Sequence, residues 1–129
     1  MTVGISTVNL ANAWLNVVGN KTTFTAPAGT HIQCHTADPG ALGTTAASTG
    51  VTGRQAATFG AASGAAIALT NSPAFTATGG DTITHISVWS AASAGTFLWS
   101  AALSTAKTVV ATDTLTFNAV GVSLSPVAS

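Results

Sequence analysis

The chain has 129 residues, zero net charge and only 5% charged residues (Lys21, Arg54, Lys107, Asp38, Asp81 and Asp113), against roughly a quarter in an ordinary soluble domain. Three scattered basic residues cannot form the patch that a nucleic-acid binder needs, and three distant aspartates with no glutamate offer no ready carboxylate pair for glycoside cleavage. A coat of Ser, Thr and Gly does little to keep a protein dispersed, so the composition points to a chain covered by copies of itself or by partners.

The first element in chain order is a helix over residues 8–18, where Ala11, Trp14, Leu15 and Val18 fall on one stripe that has to be buried. Ser6 or Thr7 caps its start and Gly19 ends it. The first basic residue is Lys21, so a secretory signal is not expected and synthesis in the cytoplasm is. After Pro27 the pattern changes to period two. Strands are expected at residues 30–36, 54–60, 65–70, 83–89, 96–103, 108–110, 114–117 and 120–124, each bounded by Gly, Pro, Asn or Asp. This predicts a mainly β chain: a single-domain antiparallel β-sandwich of seven or eight short strands with one amino-terminal amphipathic helix. Residues 1–20 form the helix or arm and residues 21–129 the sandwich. Residues 38–53 (DPGALGTTAASTGVTG) are too long for a tight turn and read as an exposed, mobile loop.

The hairpin around residues 90–95 sets the expected faces. Pairing Trp89 with Thr96, Val88 with Phe97 and Ile86 with Trp99 puts Ile86, Val88, Phe97 and Trp99 on one apolar face. His85, Ser87, Trp89, Leu98 and Ser100 then share the other. Trp89 and Leu98 are the expected contacts with another subunit, unless Trp14 of the amino-terminal helix covers them instead; these three are the interface candidates.

Chemical signatures are sparse. In Gly60-Ala61-Ala62-Ser63-Gly64 the serine sits one place late for a nucleophile elbow, and no glycine-rich turn carries the Lys and Ser or Thr of a phosphate loop. His31 and His35 invite a metal reading, yet on a strand they stand ~13 Å apart, whereas zinc holds each nitrogen at ~2 Å. The expected arrangement is therefore surface-facing strand histidines with Ile32 and Cys34 pointing to the core, and a site completed by His85 or by a neighbouring subunit is the alternative. Cys34, the only cysteine, has no charged neighbour to activate it and forms no intrachain disulfide. No catalytic, cofactor or metal residue is expected, and no ~20-residue apolar run is present to cross a membrane.

The motif order NLANAWLNVVGN, TAPAGTHIQCHTADPG, GRQAATFGAASGAAI, THISVWSAASAGTFLWSAAL and TAKTVVATDTLTF resembles a family of small tailed-phage virion proteins, the minor tail, tail-fibre-like, head-fibre and capsid decoration proteins. The resemblance implies a β-sandwich structural protein without enzymatic activity or cofactor. It is then made in the host cytoplasm, placed in the virion on other capsid or tail proteins, and homo-oligomeric. The alternative is a receptor- or carbohydrate-binding module of a phage adhesion structure, because tryptophans stack on sugars; three tryptophans and no tyrosine make a poor platform for that.

Overall fold

Alternation along two long strands organises the molecule, of which a computed structural model describes residues 3–125. Strand β6 (Asp81–Trp89) pairs antiparallel with β7 (Phe97–Val109) on one side and with β2 (His31–His35) on the other. The short strands β1 (Gly4–Ile5) and β3 (Arg54–Ala56) complete a five-stranded sheet in the order β1-β7-β6-β2-β3. Two antiparallel ribbons, β4 (Ala66–Ala68) with β9 (Gly121–Ser123) and β5 (Ala74–Thr76) with β8 (Thr114–Thr116), supply the second layer. The fold is thus mainly β and antiparallel, with its one helix at the amino terminus.

The core lies between these layers because strand residues two apart share a face. Register pairs Ile32 with Val88, Cys34 with Ile86 and Val88 with Trp99, which places all of these on the inner side. Phe75, Leu115 and Phe117 pack against them from the second layer. Phe75 meets Phe117 edge-on at 5.9 Å and Phe59 meets Trp99 at 6.0 Å, geometries that aromatic quadrupoles favour.

The helix departs from expectation. It opens as a π-helical turn over Thr7–Ala11, with Ala11 N–H reaching Ser6 C=O, and continues as α1 over Asn12–Val18. The wider turn takes in an extra residue and rotates the inward face. Leu10 is buried and Trp14 half-buried, whereas Leu15 and Val18, expected inside, are 68% and 84% exposed. Ser6 fixes this end by donating its N–H to Leu98 C=O, and the Asn9 amide donates to Phe97 C=O.

Three strand expectations also change. Residues 96–103 and 108–110 belong to one 13-residue strand, because Lys107, Thr108 and Val109 pair with Ile83, Thr82 and Asp81 across an irregularity in the ladder. Strand β5 was hidden by its length and by having Phe75 as its only large apolar residue. In the hairpin, Trp89 pairs with Phe97 and Val88 with Trp99, so Leu98 is a bulge. The extra residue brings Leu98 into the core beside Trp99, which lies there as expected, and moves Phe97 to the Trp89 face.

Residues 38–53 are the largest correction: they do not stand out in solvent but fold back over the sheet. Thr36 N–H donates to Ala46 C=O and Ser48 N–H to Cys34 C=O, and Pro39, Ser48 and Val51 are buried. Asp81 anchors the far end, accepting from the Ser48 hydroxyl at 2.6 Å and from the amides of Gly50 and Thr49 at 2.9 and 3.1 Å. These bonds, the Ser48 hydroxyl foremost, hold its carboxyl below the usual range. Gly43, at φ +73°, lies so close on the Phe97 ring that a Cβ there would overlap it. Gly53, at φ +78°, has open space around its missing Cβ. Both Gly→Ala changes incur the left-handed backbone strain. Gly43→Ala should therefore cost about 1–3 kcal/mol more than Gly53→Ala in denaturant unfolding, the usual range for overpacking. Equal losses would mean that the loop does not rest on Phe97.

Candidate functional site

The face of the sheet turned away from the core collects most of the residues capable of chemistry. Register sets His35 opposite His85, Gln33 opposite Ser87 and Arg54, His31 opposite Trp89, and Ser87 opposite Ser100. Residues 38–53 cover the His35 end of this lane and Arg54 covers the Trp89 end.

At its centre Ser87 is fully buried, and so is His35, which was expected to face solvent but lies under residues 38–53. The His35 Nδ1 lies 2.8 Å from Thr45 C=O, which can only accept, so the network assigns the proton to Nδ1. Neutral Nε2 then accepts the Ser87 hydroxyl proton at 2.7 Å, and Ser87 Oγ accepts the Trp89 indole N–H at 2.7 Å. The side-chain polar atoms of His35, Ser87 and Trp89 are thus all paired, which is what makes this network stable away from water, whereas His31 Nδ1 on the same face is buried without a partner. Burial pushes the His35 pKa below its ordinary value; the Thr45 carbonyl opposes the shift, while His85 and Arg54 add to it.

Arg54 closes the other end. Its guanidinium lies 3.8 Å from the Trp89 ring centroid, Nε donates to Gln33 Oε1 at 2.9 Å, and Nη1 donates to Ala91 C=O at 3.1 Å and Ala94 C=O at 2.6 Å. One cation thus stacks on the hairpin's tryptophan and gathers its loop. Trp89 also meets Phe97 at 5.6 Å.

A serine bonded to a histidine has the form of an activated nucleophile, but Ser87 lacks the access such a role requires. It is fully buried, and its oxygen already accepts a hydrogen bond from the Trp89 indole N–H. Cys34 is equally enclosed, with burial pushing its thiol up to about 12. His85 does reach His35 as its cross-strand neighbour, and donor and acceptor groups of Thr84 and His85 meet at 2.8 Å. Among the described residues no three His, Cys, Asp or Glu side chains gather to hold a metal ion, and no helix is long and apolar enough to cross a membrane.

Of the three residues expected at a subunit contact, Trp89 and Leu98 are 7% and 5% exposed within the chain itself. Arg54 and Phe97 shield Trp89, while the bulge places Leu98 in the core. Trp14 is half-buried on α1 and lines an apolar cavity of about 250 Å³ with Ile5, Ile67 and Val122. It does not cover Trp89, as one sequence reading allowed. The roles of Thr45, Asp81 and Arg54 were missed. The signal for Arg54 was its isolation, since a lone arginine in so uncharged a chain implies a specific partner.

The polar face is thus covered in part by the chain's own loop and by Arg54, above an aromatic core. The sequence model of the family described as Podophage GP4 fiber I protein gp80 matches residues 4–125, nearly the whole chain. The protein belongs to this family of phage virion fibre proteins. No curated protein matches the chain.

Two outcomes test the sealed face. A folded-state pKa lowered below the ordinary 6.5 means that the unfolded chain takes up a proton first. His35 stabilisation is therefore fully present above about 6.5 and is lost as pH falls through its folded value. Melting temperature should decline from pH 7 to pH 5 in the wild type, and His35→Asn should reduce that slope while lowering stability at pH 7. An unchanged slope would remove His35 from the acid response. Separately, Arg54→Lys should shift tryptophan fluorescence to longer wavelength nearly as far as Arg54→Ala, because an ammonium cannot stack and fork in the same geometry. Full retention of the wild-type spectrum by the lysine variant would reduce Arg54 to a simple charge.

Proposed function

We propose that the protein is a non-enzymatic structural subunit of a phage fibre, attached to capsid or tail proteins as a decoration or minor tail component, and that it self-associates there. The observation that carries this reading is the family match over residues 4–125. The burial of His35, Ser87 and Cys34 supports a structural role, since none is placed to meet a substrate. Synthesis in the host cytoplasm suits a chain whose single thiol is buried and free.

Self-association is supported by what the chain leaves outside. Val8, Leu15, Val18 and Leu42 are each at least 68% exposed, on a surface with few ions to keep copies apart. Nucleic acid and membrane are poor partners for it, because Lys21, Arg54 and Lys107 form no cluster in sequence and Arg54 is engaged by Trp89 and backbone carbonyls. A glycan-binding role has little support, because Trp89 and Trp99 are buried and Trp14 is only partly open. Multi-angle light scattering of the purified chain should give a mass that rises with concentration above 12.6 kDa. A single 12.6 kDa species at millimolar concentration would end the self-association reading while leaving attachment to other virion proteins in place.

A further inference from the structure

We infer that the outer side of α1 is a contact between copies of this chain, in which Leu15 and Val18 of one copy enter the apolar cavity beside Trp14 of the next. The inference rests on the self-association proposed above and gives it a place. Trp14, Leu15 and Val18 lie within little more than one helical turn, so the cavity wall and the protruding side chains are neighbours on one surface. Leu15 and Val18 are 68% and 84% exposed. The cavity holds about 250 Å³ and is lined by Ile5, Trp14, Ala65, Ile67, Val122 and Leu124, with Ala62 at its exposed rim. An apolar space of ~150 Å³ accepts a benzene ring, so this one has room for a branched aliphatic side chain from each of two helix positions.

A surface that carries both a protrusion and a matching hollow is complementary to itself, which is the condition for a repeating contact between identical subunits. Charge is compatible with that occupant and disfavours charged ones. Residues 1–20 contain no charged side chain, so a second copy meets no repulsion and an oppositely charged partner gains no attraction. The basic rim that would hold such a helix on a lipid surface is also missing, since Lys21 stands alone.

Cysteine pairing tests the contact directly, because buried Cys34 does not compete. Chains carrying Val18→Cys are mixed with chains carrying Ala62→Cys under mild oxidation, with Val110→Cys, at a position 59% exposed, as the control in place of Val18→Cys. The expected result is a mixed V18C–A62C dimer in clear excess over the V110C control. In scattering or sedimentation, Leu15→Glu and Val18→Glu should each weaken self-association at least ~tenfold while Val110→Glu leaves it unchanged, as expected where a few apolar residues dominate a contact. Melting temperatures at low concentration should stay near the wild-type value, since both side chains are exposed in the single chain. Self-association that persists in the glutamate variants, with no V18C–A62C product, would overturn this contact and leave self-association standing. A wild-type chain that remains monomeric throughout would overturn both.

Discussion

The hydrogen-bond chain from Trp89 through Ser87 to His35 and Thr45 is the constraint on which the rest depends. A strand at the centre of a sheet has two faces, and from Ile86 to Trp89 β6 has both withdrawn from water. The inner face needs no special provision, being Ile83, Ile86 and Val88 against other apolar residues. On the outer face the Ser87 hydroxyl and Trp89 indole N–H of β6 meet the His35 imidazole of β2, and an unpaired buried donor or acceptor among them would cost about 1–3 kcal/mol. Joining them in series makes the covered face tolerable. The last link is a backbone carbonyl at Thr45, so the loop that covers the network is also one of its members.

That arrangement explains why a segment rich in Gly, Ser, Thr and Ala is ordered. Such residues have little to bury, and each one fixed costs about 1–2 kcal/mol in backbone entropy. Here the loop is held at several separated points: Thr45 on His35, Ala46 on Thr36, Ser48 on Cys34 and Asp81, and Gly43 against Phe97. Small side chains suit the task because they allow the backbone itself to approach the sheet. Asp81 is one of few charges in the molecule, and it is used on a hydroxyl and two amides of its own chain.

Much of the fold was legible because period-two alternation depends on few residues. HIQCH and HISVW each state which side chains point inward, and the observed faces of β2 and of β6 from His85 onward follow them, whereas the irregularity between Ile83 and His85 brings Ile83 to the core out of period. What could not be read were departures from that period. One inserted residue at Leu98 reverses the side on which Phe97 emerges, and nothing in FLWS distinguishes a bulge from a regular strand. A π turn rotates the helix by a similar slip, which is how Leu15 and Val18 came to lie outside. The covering loop was misread for another reason: its order comes from contacts with strands distant in sequence, such as Ser48 with Asp81, and no local propensity encodes them.

Cys34 has a bearing on how long such a protein lasts. Once a phage particle leaves its host, its proteins meet dissolved oxygen with no reductase to repair them. An exposed thiol on a subunit present in many copies would cross-link neighbouring particles or climb the oxidation ladder. Here the sulfur is shut between the sheet layers, its thiolate suppressed by burial, and no second cysteine exists for it to pair with inside the chain. The same packing that fills the core therefore keeps the chain's one thiol from reacting for as long as the protein stays folded.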